Sequence, residues 1–251
     1  MNKTKLNPLM KILIIIPCFN EEFRLKTDLF SQFSHNNPSI HFLFVDDGST
    51  DNTIGLLKSL CSYSDNLNYK TLNKNKGKAE AIRHGVLSSK KEINDYDFIG
   101  YFDADLSVPL NEIHNFIEML NKYNDTKFIL GIRIARLGAK IKRNFFRHYF
   151  GRIFATFVSV LLKEPVYDSQ CGAKLIHSSI ILKLFEYPFI SKWFFDIELI
   201  YRYKLFYPMH MNKILEFPIS QWNEIPDSKL KFKNYIMAPF KLIKIWLKYR
   251  K

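Results

Sequence analysis

Apolar residues in the first half of the chain fall into short, dense runs separated by amphipathic stretches. The run Ile12-Leu13-Ile14-Ile15-Ile16 is rich in β-branched residues and stops at Pro17, so it reads as a buried strand. Helical spacing follows over 21–33, then a second strand over 40–45 and a helix capped by Asp51 that runs through Leu60. The series continues with a short strand at 69–72, a helix at 78–88, a strand at 98–102 and a fifth strand at 127–130. A helix over 109–120, with Pro109 near its first turn, joins the last two. Such alternation predicts an α/β fold, a mostly parallel sheet flanked by helices.

In sheets of this kind ligands bind beyond the carboxyl ends of the strands, and the polar clusters fall there. Pro17-Cys18-Phe19-Asn20-Glu21 follows the first strand and Asp46-Asp47-Gly48-Ser49 the second. Asn73-Lys74-Asn75-Lys76-Gly77-Lys78 follows the third, and Asp103-Ala104-Asp105 the fourth. If the fourth strand carries through the aspartates, positions i and i+2 place both carboxylates on one face. Such a pair grips a hard divalent cation through oxygen and leaves positions for phosphate oxygens.

Charge adds a partner class. The 251-residue chain has a formal net charge of +13, which favours an anionic ligand or surface. Nine Lys or Arg and no acid lie between Lys127 and Lys163, interleaved with aromatic residues, and the tail after Asp227 is also free of acid. Cys18, Cys61 and Cys171 are too few and scattered for a disulfide framework or zinc cluster, as expected of reduced thiols in the cytosol. The run at 12–16 is too short for a signal peptide, and the longest apolar run, 153–162, is half a bilayer crossing.

The residues then match a known pattern. Ile14-Ile15-Ile16-Pro17-Cys18-Phe19-Asn20-Glu21, Val45-Asp46-Asp47-Gly48-Ser49-Thr50-Asp51, Asn75-Lys76-Gly77-Lys78 and Asp103-Ala104-Asp105 resemble, in order and spacing, family-2 glycosyltransferases of the GT-A (Rossmann-like) fold. Asp168-Ser169-Gln170-Cys171-Gly172-Ala173-Lys174-Leu175, Trp193-Phe194-Phe195-Asp196-Ile197-Glu198-Leu199 and the stretch from Trp222 to Leu230 narrow it. These resemble the dolichyl-phosphate β-glucosyltransferase and polyprenyl-phosphate glycosyltransferase branch. The resemblance implies a catalytic domain over 10–232, followed by a basic amphipathic helix over 233–251.

It also implies roles. A nucleotide-sugar donor, with UDP-glucose favoured over a GDP-sugar, is expected among Pro17, Asn20, Glu21, Asp46, Asp47, Lys78 and Asp103. Pro17 would fix the turn after the first strand, and Glu21 would accept hydrogen bonds from base or ribose. Asp46 suits a base N–H or ribose hydroxyl, and Asp47 would order the Gly48-Ser49 turn or cap the next helix. Lys78 would face the diphosphate, or be a solvated lysine at a helix start. Asp103 and Asp105 would hold Mg²⁺ or Mn²⁺, with Ser107 where related enzymes use a Gln that assists the metal.

For an inverting transfer, a phosphate acceptor is already anionic and calls for cations: Arg133 first, then Arg136, Arg143 and Arg147. An acceptor hydroxyl, as in cell-surface glycan synthesis, would instead require a base, for which Asp168 and Asp196 stand ready. Trp222 would line the pocket or simply pack.

A lipid phosphate acceptor implies a peripheral enzyme at the cytosolic face of a membrane, bound directly or through a membrane-protein partner. Ile236, Phe240, Ile243 and Leu247 repeat at helical spacing beside Trp246, with Lys241, Lys244, Lys248 and Lys251 on a neighbouring stripe. The segment 143–162 offers a second interfacial element; docking of both helices on the core is the alternative. Basic residues among aromatics also suit single-stranded nucleic acid, but that reading leaves Asp46, Asp103 and Asp105 unexplained, so no nucleic-acid partner is expected.

Overall fold

The computed structural model describes residues 10–142, 145–223 and 238–250, with side chains left undescribed at 142–150 and 238–239. Seven strands form one sheet in the order β3-β2-β1-β4-β7-β5-β8. These are β1 (Ile12–Cys18), β2 (Ile40–Asp46), β3 (Leu67–Thr71), β4 (Phe98–Phe102), β5 (Phe128–Ile132), β7 (Ala173–His177) and β8 (Ile214–Pro218). All run parallel except β7, which is antiparallel to both β4 and β5. A separate ribbon pairs β6 (Lys140–Lys142) with β9 (Gln221–Asn223).

Strand periodicity divides the core in two. Leu13, Ile15, Leu43, Val45, Ile99 and Tyr101 face one layer, while Ile12, Ile14, Ile16, Phe42, Phe44, Phe98 and Phe102 face the other. Helices α1 (Thr27–Asn36), α2 (Thr53–Cys61) and α4 (Glu112–Lys122) cover the second face through Phe30, Phe33, Leu57, Leu60, Ile113 and Phe116. The first face carries α3 (Lys78–Ser88), α5 (Phe145–Leu162), α6 (Ser178–Phe185), α7 (Phe195–Phe206) and α8 (Ala238–Tyr249).

Several boundaries depart from the sequence pattern, each for a local reason. Pro17 lies inside β1, opposite Val45, and does not open a turn. Pairing of β1 with β4 ends at Ile15, so the missing N–H interrupts no ladder bond on that side. Helix α1 starts at Thr27, not at 21; residues 21–25 instead form a separate turn, in which Arg24 and Leu25 N–H both donate to the Glu21 carbonyl. Glu21 N–H donates to Thr53 Oγ1 at 2.8 Å, and Glu22 N–H donates to Asp51 Oδ2 at 3.1 Å. Pro109 precedes α4 by three residues, its carbonyl accepting from Glu112 N–H at 3.0 Å. β3 ends at Thr71, and Asp51 accepts from Thr53 N–H at 3.0 Å at the entry to α2.

The tail helix docks on the first face of the core. Leu242 and Ile245 are buried in the same cluster as α5 and α7 residues, with Trp246 and Tyr249 packed beside them. Glu198, wholly buried on α7, fixes the arrangement. It accepts from Arg202 at 2.9 Å, from the Tyr249 hydroxyl at 2.7 Å and from Ile190 N–H at 2.8 Å. The expected boundary at 232/233, together with Ile236, lies outside the described residues.

Removing Glu198 would strand the buried Arg202 guanidinium. Glu198→Ala is expected to cost about 3–5 kcal/mol of stability. Tyr249→Phe, which loses one hydrogen bond of α8, is expected to cost about 1 kcal/mol. Urea denaturation curves for the two variants check the difference.

Candidate active site

Four loops beyond the strand ends are joined by consecutive hydrogen bonds. Asn20, in the left-handed region at φ 50°, donates its N–H to Ser49 Oγ at 2.9 Å, and its Oδ1 accepts from Thr50 N–H at 2.9 Å. The β1 loop is thereby tied to the β2 loop. Asp47 then accepts from Lys76 N–H and Gly77 N–H, each at 2.7 Å, tying the β2 loop to the β3 loop. Gly77 has φ 97°, a conformation suited to glycine, and it opens α3. Lys78, the first residue of α3, pairs with Asp103 after β4. The predicted convergence on one rim is therefore present, and Asp47 serves it as a clamp between loops instead of ordering its own turn.

Asp46 and Glu21 sit differently from one another. Asp46 is fully buried at the end of β2; its Oδ2 accepts from Ser49 N–H at 3.2 Å. Its Oδ1 is buried with no hydrogen-bond partner among the described residues. An acceptor in that state is costly to leave unmatched, so it is poised for a donor N–H or O–H from a ligand. Glu21 Oε1 is engaged by Arg24 at 2.7 Å, which makes its carboxylate a brace within its own loop.

The aspartate pair is not the tail of a strand. β4 stops at Phe102, and Leu106 N–H closes a turn on the Asp103 carbonyl at 3.2 Å. Leu106 itself is held at φ 53°, a strained setting for a non-glycine residue. The turn, not strand alternation, brings the carboxylates together. Burial and the charge of Asp103 push the Asp105 carboxyl above its ordinary pKa. Ser107 N–H donates to Asp105 Oδ1 at 2.9 Å, so Ser107 orients the second aspartate.

This pair fits a divalent cation. Its donors are all oxygen, as Mg²⁺ or Mn²⁺ prefers. A side chain at Gly172 would overlap the Asp103 carboxylate, so the glycine leaves that carboxylate its cradle. No set of three His, Cys, Asp or Glu residues surrounds the pair among the described residues. Lys78 already balances the pair: burial draws its pKa down, but Asp103, Asp196 and Asp105 outweigh that and hold it above the usual value.

Beneath the pair lies a second ion pair that sequence reasoning missed. Asp196, in the first turn of α7, accepts from the Lys174 ammonium at 2.7 Å and from the Tyr101 hydroxyl at 2.5 Å. Lys174 is wholly buried on β7 and also donates to the Cys171 carbonyl at 2.5 Å. The only sequence signal was a lysine inside the motif after Asp168, and it had no role there.

Arg133, just past β5, is bound bidentately by Asp168, Nε to Oδ2 at 2.7 Å and Nη2 to Oδ1 at 2.9 Å. Burial opposes its charge, but Asp168 more than compensates and raises its pKa further. Its guanidinium lies over the Trp222 ring at 5.5 Å, so Trp222 helps place this cation. Glu216 on β8, also unforeseen, accepts from the Tyr167 and Asp168 amides at 2.8 and 3.2 Å and so fixes the loop. Arg136 is exposed and donates to the Pro218 carbonyl at 3.3 Å. Arg143 lies outside the described residues, as does the side chain of Arg147.

With that geometry in place, comparison with known proteins becomes informative. The pattern of Glycosyl transferase family 2 matches residues 13–185. A dolichyl-phosphate beta-glucosyltransferase of Dictyostelium discoideum is 27% identical over 255 residues, covering 94% of this chain and 74% of that protein. The enzyme of the same name from Homo sapiens is 29% identical over 243 residues, covering 89% and 71%. Among solved structures, the Mycobacterium tuberculosis glucosyl-3-phosphoglycerate synthase aligns with a TM-score of 0.70 at 13% identity, covering 96% of this chain and 80% of that one. A complex of that synthase with Mn²⁺, UDP-glucose and phosphoglyceric acid aligns with a TM-score of 0.64 at 13% identity, covering 94% and 80%. At such identity the likeness is one of fold, and it is the GT-A arrangement. The family pattern spans well over half of the residues, and the chain belongs to glycosyl transferase family 2.

Proposed function

We propose that this enzyme transfers glucose from UDP-glucose to a polyprenyl phosphate of the dolichyl type, by single displacement with inversion, at the cytosolic face of a membrane. One observation carries the choice of acceptor. Both carboxylates that could act as a base are already engaged, Asp168 by the Arg133 cation and Asp196 by the Lys174 cation and the Tyr101 hydroxyl. A hydroxyl acceptor would require such a base, whereas a phosphate monoester arrives as an anion. The named relatives act on dolichyl phosphate by their names, which supports the same reading.

Each residue then has a task. Asp46 Oδ1 accepts from the uracil N–H or a ribose hydroxyl, on a floor that Pro17, Asn20 and Glu21 shape. A Mg²⁺ or Mn²⁺ ion held by Asp103 and Asp105 would supply Lewis-acid neutralisation of the leaving diphosphate. Lys78 exchanges its hold on Asp103 for the diphosphate oxygens once the pair is satisfied. Arg133, held by Asp168 and placed against Trp222, offers its remaining N–H groups to the acceptor phosphate.

Four outcomes follow. UDP-glucose with Mn²⁺ is expected to raise the melting temperature, GDP-sugars are not, and Asp105→Ala removes the shift; metal-independent stabilisation by UDP-glucose in that variant contradicts the scheme. Labelled glucose should enter an organic-extractable product that mild acid releases. Arg133→Lys should raise KM for the acceptor by roughly 10–100-fold with little change for the donor, because the fork geometry is lost. Finally, Lys78→Met should bind Mn²⁺ more tightly than wild type without nucleotide, roughly tenfold on a Coulombic argument, as read by calorimetry. Unchanged Mn²⁺ affinity would mean that the lysine and the ion do not compete.

A further inference from the structure

Helix α8 carries two apolar stripes, and only one is used. Leu242 and Ile245 face the core, and the Tyr249 hydroxyl bond to Glu198 fixes the rotation of the helix. Phe240, Ile243 and Leu247 consequently point outward, 66%, 42% and 49% exposed. Helix α5 repeats the arrangement: Ala155, Val158 and Leu162 are buried, while Ile153, Phe157 and Val160 are 68%, 38% and 68% exposed. The two helices pack against each other and against α7. An ordinary docked helix would turn polar residues to water on its free face.

We propose that the outer stripes of α5 and α8 form one docking surface for an anionic lipid bilayer. Neither helix contains an acidic residue, and Lys244 and Lys248 stand exposed on α8 beside the apolar stripe, with the exposed Arg250 just past its end. Aliphatic side chains enter the interface while lysines reach the negatively charged head groups. A second copy is a poor occupant, because a two-fold contact would set one lysine row against another. Nucleic acid is also a poor one, since only Phe157 and Phe240 of the six outward apolar residues carry a ring, and the aliphatic Ile153, Val160, Ile243 and Leu247 offer a base nothing to stack on.

The same helices touch the proposed acceptor side of the site. On α5, Arg152 lies over the Tyr167 ring at 3.8 Å and donates to its carbonyl at 3.3 Å, next to Asp168. Phe154 packs on Phe194 at 5.5 Å, and the Lys241 ammonium of α8 lies over that same ring at 6.0 Å, two residues ahead of Asp196. A bilayer on this face would present lipid phosphates beside Arg133. Only the purpose of the surface rests on the lipid-acceptor reading; binding is measured without acceptor.

The experiment is co-sedimentation with phosphatidylcholine vesicles containing either no charged lipid or roughly 30% phosphatidylglycerol, at low and high salt. Wild type is expected to bind the anionic vesicles, weakly at high salt, and to ignore the neutral ones. The quadruple variant Ile153→Ser, Val160→Ser, Phe240→Ser, Ile243→Ser changes only exposed positions and should lose at least about tenfold in partitioning. Its thermal unfolding and its turnover of a short, water-soluble prenyl phosphate should match wild type. Vesicle binding by that variant equal to wild type overturns the proposal. So does light scattering that shows a dimer abolished by the same changes, with no vesicle binding in wild type. Vesicle binding as expected, but no glucose transfer to any lipid phosphate, would uphold the surface and refute the acceptor.

Discussion

The structure turns on a cluster of opposed charges at the carboxyl edge of the sheet. Lys78 pairs with Asp103 and lies within electrostatic reach of Asp105 and Asp196, while the buried Lys174 pairs with the buried Asp196. Each pairing offsets part of the cost of gathering carboxylates away from bulk water. The two lysines are not equivalent. Lys174 is wholly buried and shares Asp196 with Tyr101. Lys78 starts α3 on the rim, partly open to solvent, and in the proposed scheme it lets go of Asp103 when a divalent cation takes its place.

That arrangement depends on loops far apart in sequence. Asn20 fastens the first loop to the second, Asp47 fastens the second to the third, and Lys78 fastens the third to the fourth. Across the antiparallel strand β7, Glu216 holds the loop that holds Asp168, which in turn holds Arg133. The proposed donor and acceptor sides are thus built from the same device, a carboxylate that fixes a neighbouring loop or cation. Most acidic residues of this site are consumed in positioning. Asp105 and the free oxygen of Asp46 are left to face a ligand.

Much of this was legible beforehand because regular alternation carries its own evidence. The β-branched run of β1 and the amphipathic helices between strands are local properties, and polar clusters at strand ends follow from topology. What was not legible came from tertiary context. β7 was missed because Lys174 breaks its apolar run, and only the buried Asp196 explains a lysine there. The start of α1 lies at Thr27, behind a turn at 21–25 whose leading amides are tied to Thr53 and Asp51, some thirty residues on. Asp168 and Asp196 carried the right residue type for a base, and only their partners reveal that they are otherwise engaged. The tail lysines and apolar stripe were readable as a pattern, but the second, core-facing stripe of α8 required the fold.

The central claim is that Lys78 stands in for a cation at Asp103 and yields to it. A crystal structure with Mn²⁺ and UDP, using anomalous scattering to locate the metal, tests this directly. The account predicts manganese bound by Asp103 and Asp105, with the Lys78 ammonium moved from Asp103 to the diphosphate. Manganese at any other place, or Lys78 still paired with Asp103 in the loaded site, would contradict it.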